Sequence, residues 1–225
     1  MKKHLTLFLL SIIIFSCSKD EIIEDENNNP NSTNAMVVGY FPSWRFDLNN
    51  QINYCKITHL NLAFANPDSN GNLVMPDISS VVNRAKSENP NIKISISIGG
   101  GILTTEQANN WSNLIDNPQN IPTIVSKIVE YVLNNNLDGV DVDLEWQYVT
   151  SGYSNFVINL NTELDKHSKI ITAALPGTTK YSNITANALQ VFDFIHLMAY
   201  DFKGPWKPTD AGQHRSYSHA AQSIN

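Results

Sequence analysis

The run Asp138-Gly139-Val140-Asp141-Val142-Asp143-Leu144-Glu145-Trp146 restricts the fold of this 225-residue chain more than any other segment. Apolar and acidic residues alternate with the period of an extended strand, so Asp141, Asp143 and Glu145 share one face and Val140, Val142 and Leu144 the other. Successive acids on such a face stand about 6–7 Å apart. Three neighbouring carboxylates are costly to bury unless they share protons or accept hydrogen bonds, and their repulsion raises at least one pKa. The strand therefore needs an apolar layer on one side and a polar interior on the other. A parallel barrel supplies both: the apolar column meets the outer helices, and the acidic one points inside. Glu145 then lies at the C-terminal end of the strand, where barrels carry their chemistry. Asp138 falls on the opposite face by parity and is read as structural.

The rest of the chain supports that frame. Short β-branched runs at Val37 to Phe41, Ile57 to Ala65, Ile92 to Ile98, Val140 to Leu144, Ile170 to Leu175 and Phe194 to Tyr200 read as strands. Between them Ile78 to Ser87, Thr105 to Ile115, Ile121 to Asn135, Ser154 to His167 and Thr185 to Val191 read as helices, most with apolar residues at three-to-four spacing. Asn89-Pro90 and Asn134-Asn135-Asn136 punctuate the boundaries. Strand and helix alternating through the chain give an α/β fold with a parallel sheet, either open and doubly wound or an eight-stranded barrel. Pro42-Ser43-Trp44-Arg45 after the first strand is not a glycine-rich phosphate turn. Gly99-Gly100-Gly101 lacks dinucleotide and P-loop spacing and reads as room for close backbone approach, so no nucleotide cofactor is indicated. The reading is a (β/α)8 barrel of which about six β/α units are present.

Fifteen Lys and Arg against 21 Asp and Glu, with no basic cluster beyond Lys2-Lys3, leave no electrostatic footprint for nucleic acid. Residues 1 to 16 form a secretion leader: a short basic start, then an apolar run from Leu5 to Phe15 too short for a mature membrane span. Ile14-Phe15-Ser16-Cys17 resembles the lipobox of bacterial lipoproteins, with Cys17 as the lipid attachment site; an ordinary leader with an incidental cysteine is the alternative. The acidic Ser18-Lys19-Asp20-Glu21 looks like the tags on surface-exported lipoproteins of Bacteroidetes, which implies a cell-surface, outer-membrane location. Residues 17 to 35 are too polar and charged to bury anything and read as a tether, at most ~60 Å long when extended. Residues 36 to 225 form the domain. Cys55 is expected to be a buried, inert thiol.

In the acidic column, apolar surroundings and Asp143 would keep Glu145 protonated near neutral pH and make it a general acid. The alternatives are a metal site or a solvated acidic loop. A strictly alternating column with no histidine nearby is a poor metal cage, so no metal is expected.

The run Asp-Gly-Val-Asp-Val-Asp-Leu-Glu resembles the DxxDxDxE motif of family 18 glycoside hydrolases, the chitinases and endo-β-N-acetylglucosaminidases. Val38-Gly39-Tyr40-Phe41, Asn61-Leu62-Ala63-Phe64, Ser97-Ile98-Gly99-Gly100 and Met198-Ala199-Tyr200-Asp201 resemble further family segments in the same order. The resemblance implies cleavage of β-1,4 bonds next to N-acetylglucosamine without a cofactor. Glu145 would protonate the glycosidic oxygen, and Asp143 would position the 2-acetamido group whose carbonyl oxygen attacks the anomeric carbon, the substrate-assisted exception to two-carboxylate hydrolysis. Asp141 would share a proton with Asp143, with Ser97 and Tyr40 as its hydrogen-bond partners. Tyr200 would donate to the acetamido oxygen. Met198, Asp201 and Phe64 would line the sugar subsite, Gly99 and Gly100 would shape it, and Trp206 would be a stacking platform. The expected partner is a glycan or polysaccharide containing N-acetylglucosamine, met by a monomer.

Gly101 stands where many chitinases carry an aromatic residue, which implies a more open aglycone side. Six strands are two short of a barrel, and 36 to 225 falls short of the roughly 250 residues usual for the fold. The chain is therefore expected to be a fragment that folds poorly and lacks activity alone, with Ser218 to Asn225 beginning a sixth helix. A non-catalytic glycan-binding lipoprotein is the rival reading. His59 and His196 lie within strands and are expected to be satisfied core residues or to support the site from behind; His214 and His219 follow Trp206 in a loop that could reach the cleft.

Overall fold

The computed structural model describes residues 35–177 and 179–223. The leader, Cys17 and nearly all of the tether lie outside them. Six parallel strands follow one another around a curled sheet: β1 (Val38–Pro42), β2 (His59–Pro67), β4 (Lys93–Gly100), β5 (Gly139–Leu144), β6 (Ile170–Pro176) and β7 (Phe194–Met198). The two-residue β3 (Leu73–Val74) pairs antiparallel with the end of β2 and carries no periodicity that would have revealed it. Among the described residues the arc runs from β1 to β7, a partial (β/α)8 barrel with six of its strands.

Helices α1 (Ser79–Glu88), α2 (Thr105–Ile115), α3 (Ile121–Asn134), α4 (Tyr153–Asp165) and the single-turn α5 (Ala186–Leu189) lie on the outer face, whereas α6 (Tyr217–Gln222) brings His219 and Gln222 to the mouth beside Glu145. Their starts are locally encoded. Thr104 and Gln107 form a reciprocal capping box for α2, each side chain taking a backbone N–H of the other residue. In α3, Ile121, Ile124, Val125, Ile128 and Val132 recur at three-to-four spacing and are all buried. They meet the apolar column of β5, where Val140, Val142 and Leu144 are fully buried, and α4 adds Phe156, Val157, Leu160 and Leu164. Each such side chain contributes about 1.5–3 kcal/mol by burial, so the outer layer fixes which way β5 faces. A one-residue slip would turn the acids into that layer.

Two local expectations need correction. After β1 the chain makes 3-10 turns at Ser43–Gln51 and Tyr54–Lys56, so β2 begins at His59 rather than Ile57. Cys55 sits on the second turn and is exposed, because Tyr54 takes the inward position there. Asp138 is structural: its carboxylate accepts from the Ile94 backbone at 3.0 Å and pairs with Lys93 and Lys86, closing the bottom of β4 against β5.

Candidate active site

The register explains why the acidic column can be buried. Asp141 lies opposite Ser97 of β4 on one side and Thr172 of β6 on the other. Ser97 donates to Asp141 Oδ2 at 2.8 Å, Thr172 to Oδ1 at 2.6 Å, and the Tyr40 hydroxyl of β1 reaches Oδ2 at 2.9 Å. Three hydroxyls from three strands thus converge on a carboxylate with no exposed surface. Burial and the adjacent Asp141 push the Tyr40 hydroxyl well above its usual pKa, so it remains a donor.

Asp143, the next acid up, has no such support. It is 5 % exposed, its Oδ1 is buried without a hydrogen-bond partner, and burial, Glu145 and Asp141 together push its pKa up to about 8. It therefore holds a proton at neutral pH. Glu145, half-buried at the strand's end, is also raised, first by burial and then by Asp201. Along one face the acids pass from one held by three hydroxyl donors to one with an unpartnered oxygen to one half-exposed, an ordering that prepares a proton at the cleft.

Glycines bring β4 close to this column. Gly99 has φ +102°, and a Cβ there would meet the Asp143 carbonyl oxygen at 2.7 Å. Gly100 has φ +107° and lies under the Phe64 ring. A register shift between Ala63 and Ala65 leaves Phe64 out of the ladder. Ser97, Gly99 and Gly100 are buried beneath the cleft and shape its floor.

The cleft itself holds about 410 Å³, lined among others by Tyr40, Phe64, Asp143, Glu145, Met198 and Tyr200. A second lobe of about 370 Å³ shares Glu145, Met198, Tyr200 and Asp201 and extends to Trp146, Phe202 and His219. Tyr200 is raised chiefly by burial and then by Asp143, and its ring stacks on His214. Asp201, in a left-handed conformation (φ 59°), pairs with His214 at 3.3 Å. The structure does not bring Trp206 to either lobe: it is 61 % exposed and folded back over Gly204, where a Cβ would collide with its ring. Among the described residues no three His, Cys, Asp or Glu converge as metal ligands.

Thr172 and Trp146 escaped the sequence reading, and His196 departs from part of it. Thr172 is the one hydroxyl in Ile170-Ile171-Thr172-Ala173-Ala174, and its inward parity was available as a signal. Trp146 directly follows Glu145, and its backbone N–H is held by the Tyr181 hydroxyl at 2.8 Å. His196 is not satisfied within its strand: its Nε2 is buried without a hydrogen bond, 3.7 Å from Asp141 Oδ1.

Comparison with known proteins points one way. The sequence model of Glycosyl hydrolases family 18 matches residues 36–222. A solved family 18 chitinase, ChiB from the chitin utilization locus of Flavobacterium johnsoniae, is 53 % identical with a TM-score of 0.83, over 84 % of this chain and 62 % of that one. Chitinase A1 of Niallia circulans is 25 % identical over 78 % of this chain and 35 % of its own length. A family 18 chitinase of Cycas revoluta solved with (GlcNAc)3 is 23 % identical with a TM-score of 0.71, over 84 % of this chain and 63 % of that one. The chain thus spans about a third to three-fifths of these relatives.

Proposed function

The chain belongs to glycosyl hydrolase family 18, and we propose that it carries the catalytic machinery of a chitinase cleaving β-1,4 bonds next to N-acetylglucosamine. The observation that carries this reading is the graded column at the top of β5. There Asp143, pushed up to about 8, stands beside a protonatable Glu145 at the mouth of a sugar-sized cleft. The chitinase names of the relatives, and the (GlcNAc)3 bound by the Cycas revoluta protein, support the substrate class.

In this proposal Glu145 donates its proton to the glycosidic oxygen. The substrate's acetamido carbonyl attacks the anomeric carbon from the opposite face, so the protein needs no nucleophile. Positive charge grows on the acetamido nitrogen next to Asp143, and Asp141 and Asp143, sharing one proton, supply one balancing negative charge. The Tyr200 hydroxyl donates to the acetamido oxygen as it becomes part of the oxazolinium ring. Water then opens that ring with Glu145 as base, giving net retention. Met198, Phe64 and Asp201 would line the sugar subsite. Trp146, half-exposed beside Glu145, would offer a ring to the adjoining sugar.

Incubation of the full-length protein with chitooligosaccharides and, in parallel, a high-mannose glycoprotein tests the reading. The expected result is release of short N-acetylglucosamine oligomers by wild type and none by Glu145→Gln. Release of high-mannose glycans instead would move the substrate to N-glycan cores, and binding without hydrolysis would leave a glycan-binding protein. We further propose a lipoprotein anchored through Cys17 at the outer membrane. Metabolic labelling with a fatty acid should mark wild type and not Cys17→Ser.

A further inference from the structure

The acidic column has a neighbour that this mechanism does not use. His196 lies on β7 opposite Ala174 of β6, a residue small enough to let the imidazole reach across towards β5. Its Nε2 is 3.7 Å from Asp141 Oδ1 and has no hydrogen bond. Asp141 Oδ2 receives two donors, Tyr40 and Ser97, whereas Oδ1 receives only Thr172. Each carboxylate oxygen has two acceptor sites. An open acceptor and an orphaned ring nitrogen therefore face each other in a site with little solvent. The ring is held edge-on by Tyr40 (5.7 Å between centroids) and Phe194 (5.1 Å), so its plane is fixed.

We propose that His196 is a positioning residue that acts through Asp141: its protonated ring closes on Oδ1 and keeps the Asp141–Asp143 pair at one negative charge into acidic solution. The inference rests on the hydrolytic reading of that pair. The sign follows from Coulomb's law. A pair sharing one proton loses its charge when it takes a second, and an imidazolium beside it disfavours that step. The acid limb of the rate therefore lies at lower pH than it would without the ring.

The other groups around His196 are consistent with this sense. Burial lowers its pKa below the usual histidine value and Asp141 opposes that, so the ring takes its charge only on the acid side of an ordinary histidine. From β2, His59 faces the same Phe194 ring, and its own pKa is lowered, by burial first and by His196 second. Tyr40 keeps its proton. Asp143, Glu145, Tyr200 and Asp201 complete the titratable lining of the cleft. Among the described residues Asp141 is the one acid within ion-pairing distance of the ring.

Two measurements test the proposal. In wild type and Asp141→Asn, long-range ¹H–¹⁵N spectra follow the His196 imidazole with pH; its midpoint should fall by about one unit or more without the carboxylate. In wild type and His196→Asn, kcat/KM on a chitooligosaccharide is followed from pH 4 to 9. Asn keeps a neutral donor but cannot charge, so its acid limb should move up by about one unit, a roughly tenfold loss at pH 5 with a change within about twofold at pH 8. A ring midpoint that ignores Asp141→Asn, or an acid limb that ignores His196→Asn, overturns the proposal. A protein inactive at every pH refutes the hydrolase reading instead, and the imidazole titration alone then decides the role of His196.

Discussion

The floor of the cleft and its β7 rim hold similar groups by opposite means. On the floor, Asp141 receives donors from β1, β4 and β6, and the flanking strands set Ser97 and Thr172 opposite it by register. At the rim, Tyr200, Asp201 and Trp206 lie beyond the end of β7, all of them exposed. Short-range contacts there join His214 to Asp201 and both Lys203 and Lys207 to Asp210. The floor is held by the sheet and can maintain a shifted pKa in low dielectric. The rim is held by solvated ion pairs, each worth at most about 1 kcal/mol. The floor therefore keeps its carboxylates in place, while the rim that carries Tyr200 and Asp201 is left to adapt to ligand.

Glu145 stands where the two regions meet and gives the largest expected effect. Glu145→Gln should lower kcat about 10²–10⁴-fold, the usual worth of a general acid. KM and the unfolding midpoint should stay close to wild type, because the change is nearly isosteric at a half-buried position. A variant that loses binding along with turnover would mean that Glu145 belongs to the structural floor.

Asp143 tests the floor by pH. Its folded pKa of about 8 stands above its ordinary value near 3.8, so the folded state holds this proton more tightly than the unfolded chain. The resulting stabilisation is fully present below about pH 4 and is lost as pH rises through 8, on the order of a few kcal/mol. Urea melts from pH 4 to 9 should show this slope in wild type and a much flatter one in Asp143→Asn. Equal slopes in both would show that the column is better solvated than its burial indicates.

Smaller effects are expected at the donors. Thr172→Val removes a hydrogen bond to a buried carboxylate at nearly constant volume and should cost about 1.5–3 kcal/mol in chemical denaturation. Ser97→Ala should cost a similar amount. A loss below about 0.5 kcal/mol at both positions would make the floor no more constrained than the rim.

The same division separates what was legible in the sequence from what was not. The alternating acids identified the β5 column and its direction, because parity within one strand is a local property of the chain. The expected helix Thr105 to Ile115 coincides with α2 because its capping box is spelled out in Thr104 and Gln107. Thr172 and His196 could not be assigned that way. Their positions depend on how β6 and β7 are shifted against β5, and register between strands is written in none of them singly. Trp206 was out of reach of the sequence for a third reason. Aromatic character and distance along the chain do not say which way a loop folds back, and Gly204 lets the ring lie on its own turn.

Trp206 accordingly provides the finest test of the comparison. With its ring away from both lobes, Trp206→Ala should change kcat/KM on chitooligosaccharides by less than about threefold and stability by no more than about 0.5 kcal/mol, as for an ordinary surface position. Trp146→Ala should weaken binding more, because that ring lines the lobe next to Glu145. The order of the two effects carries the information. If Trp206→Ala raises KM tenfold while Trp146→Ala is nearly neutral, the rim refolds around the sugar and its unliganded arrangement is not the binding one. That result would leave the floor untouched, since none of the donors to Asp141 comes from the rim.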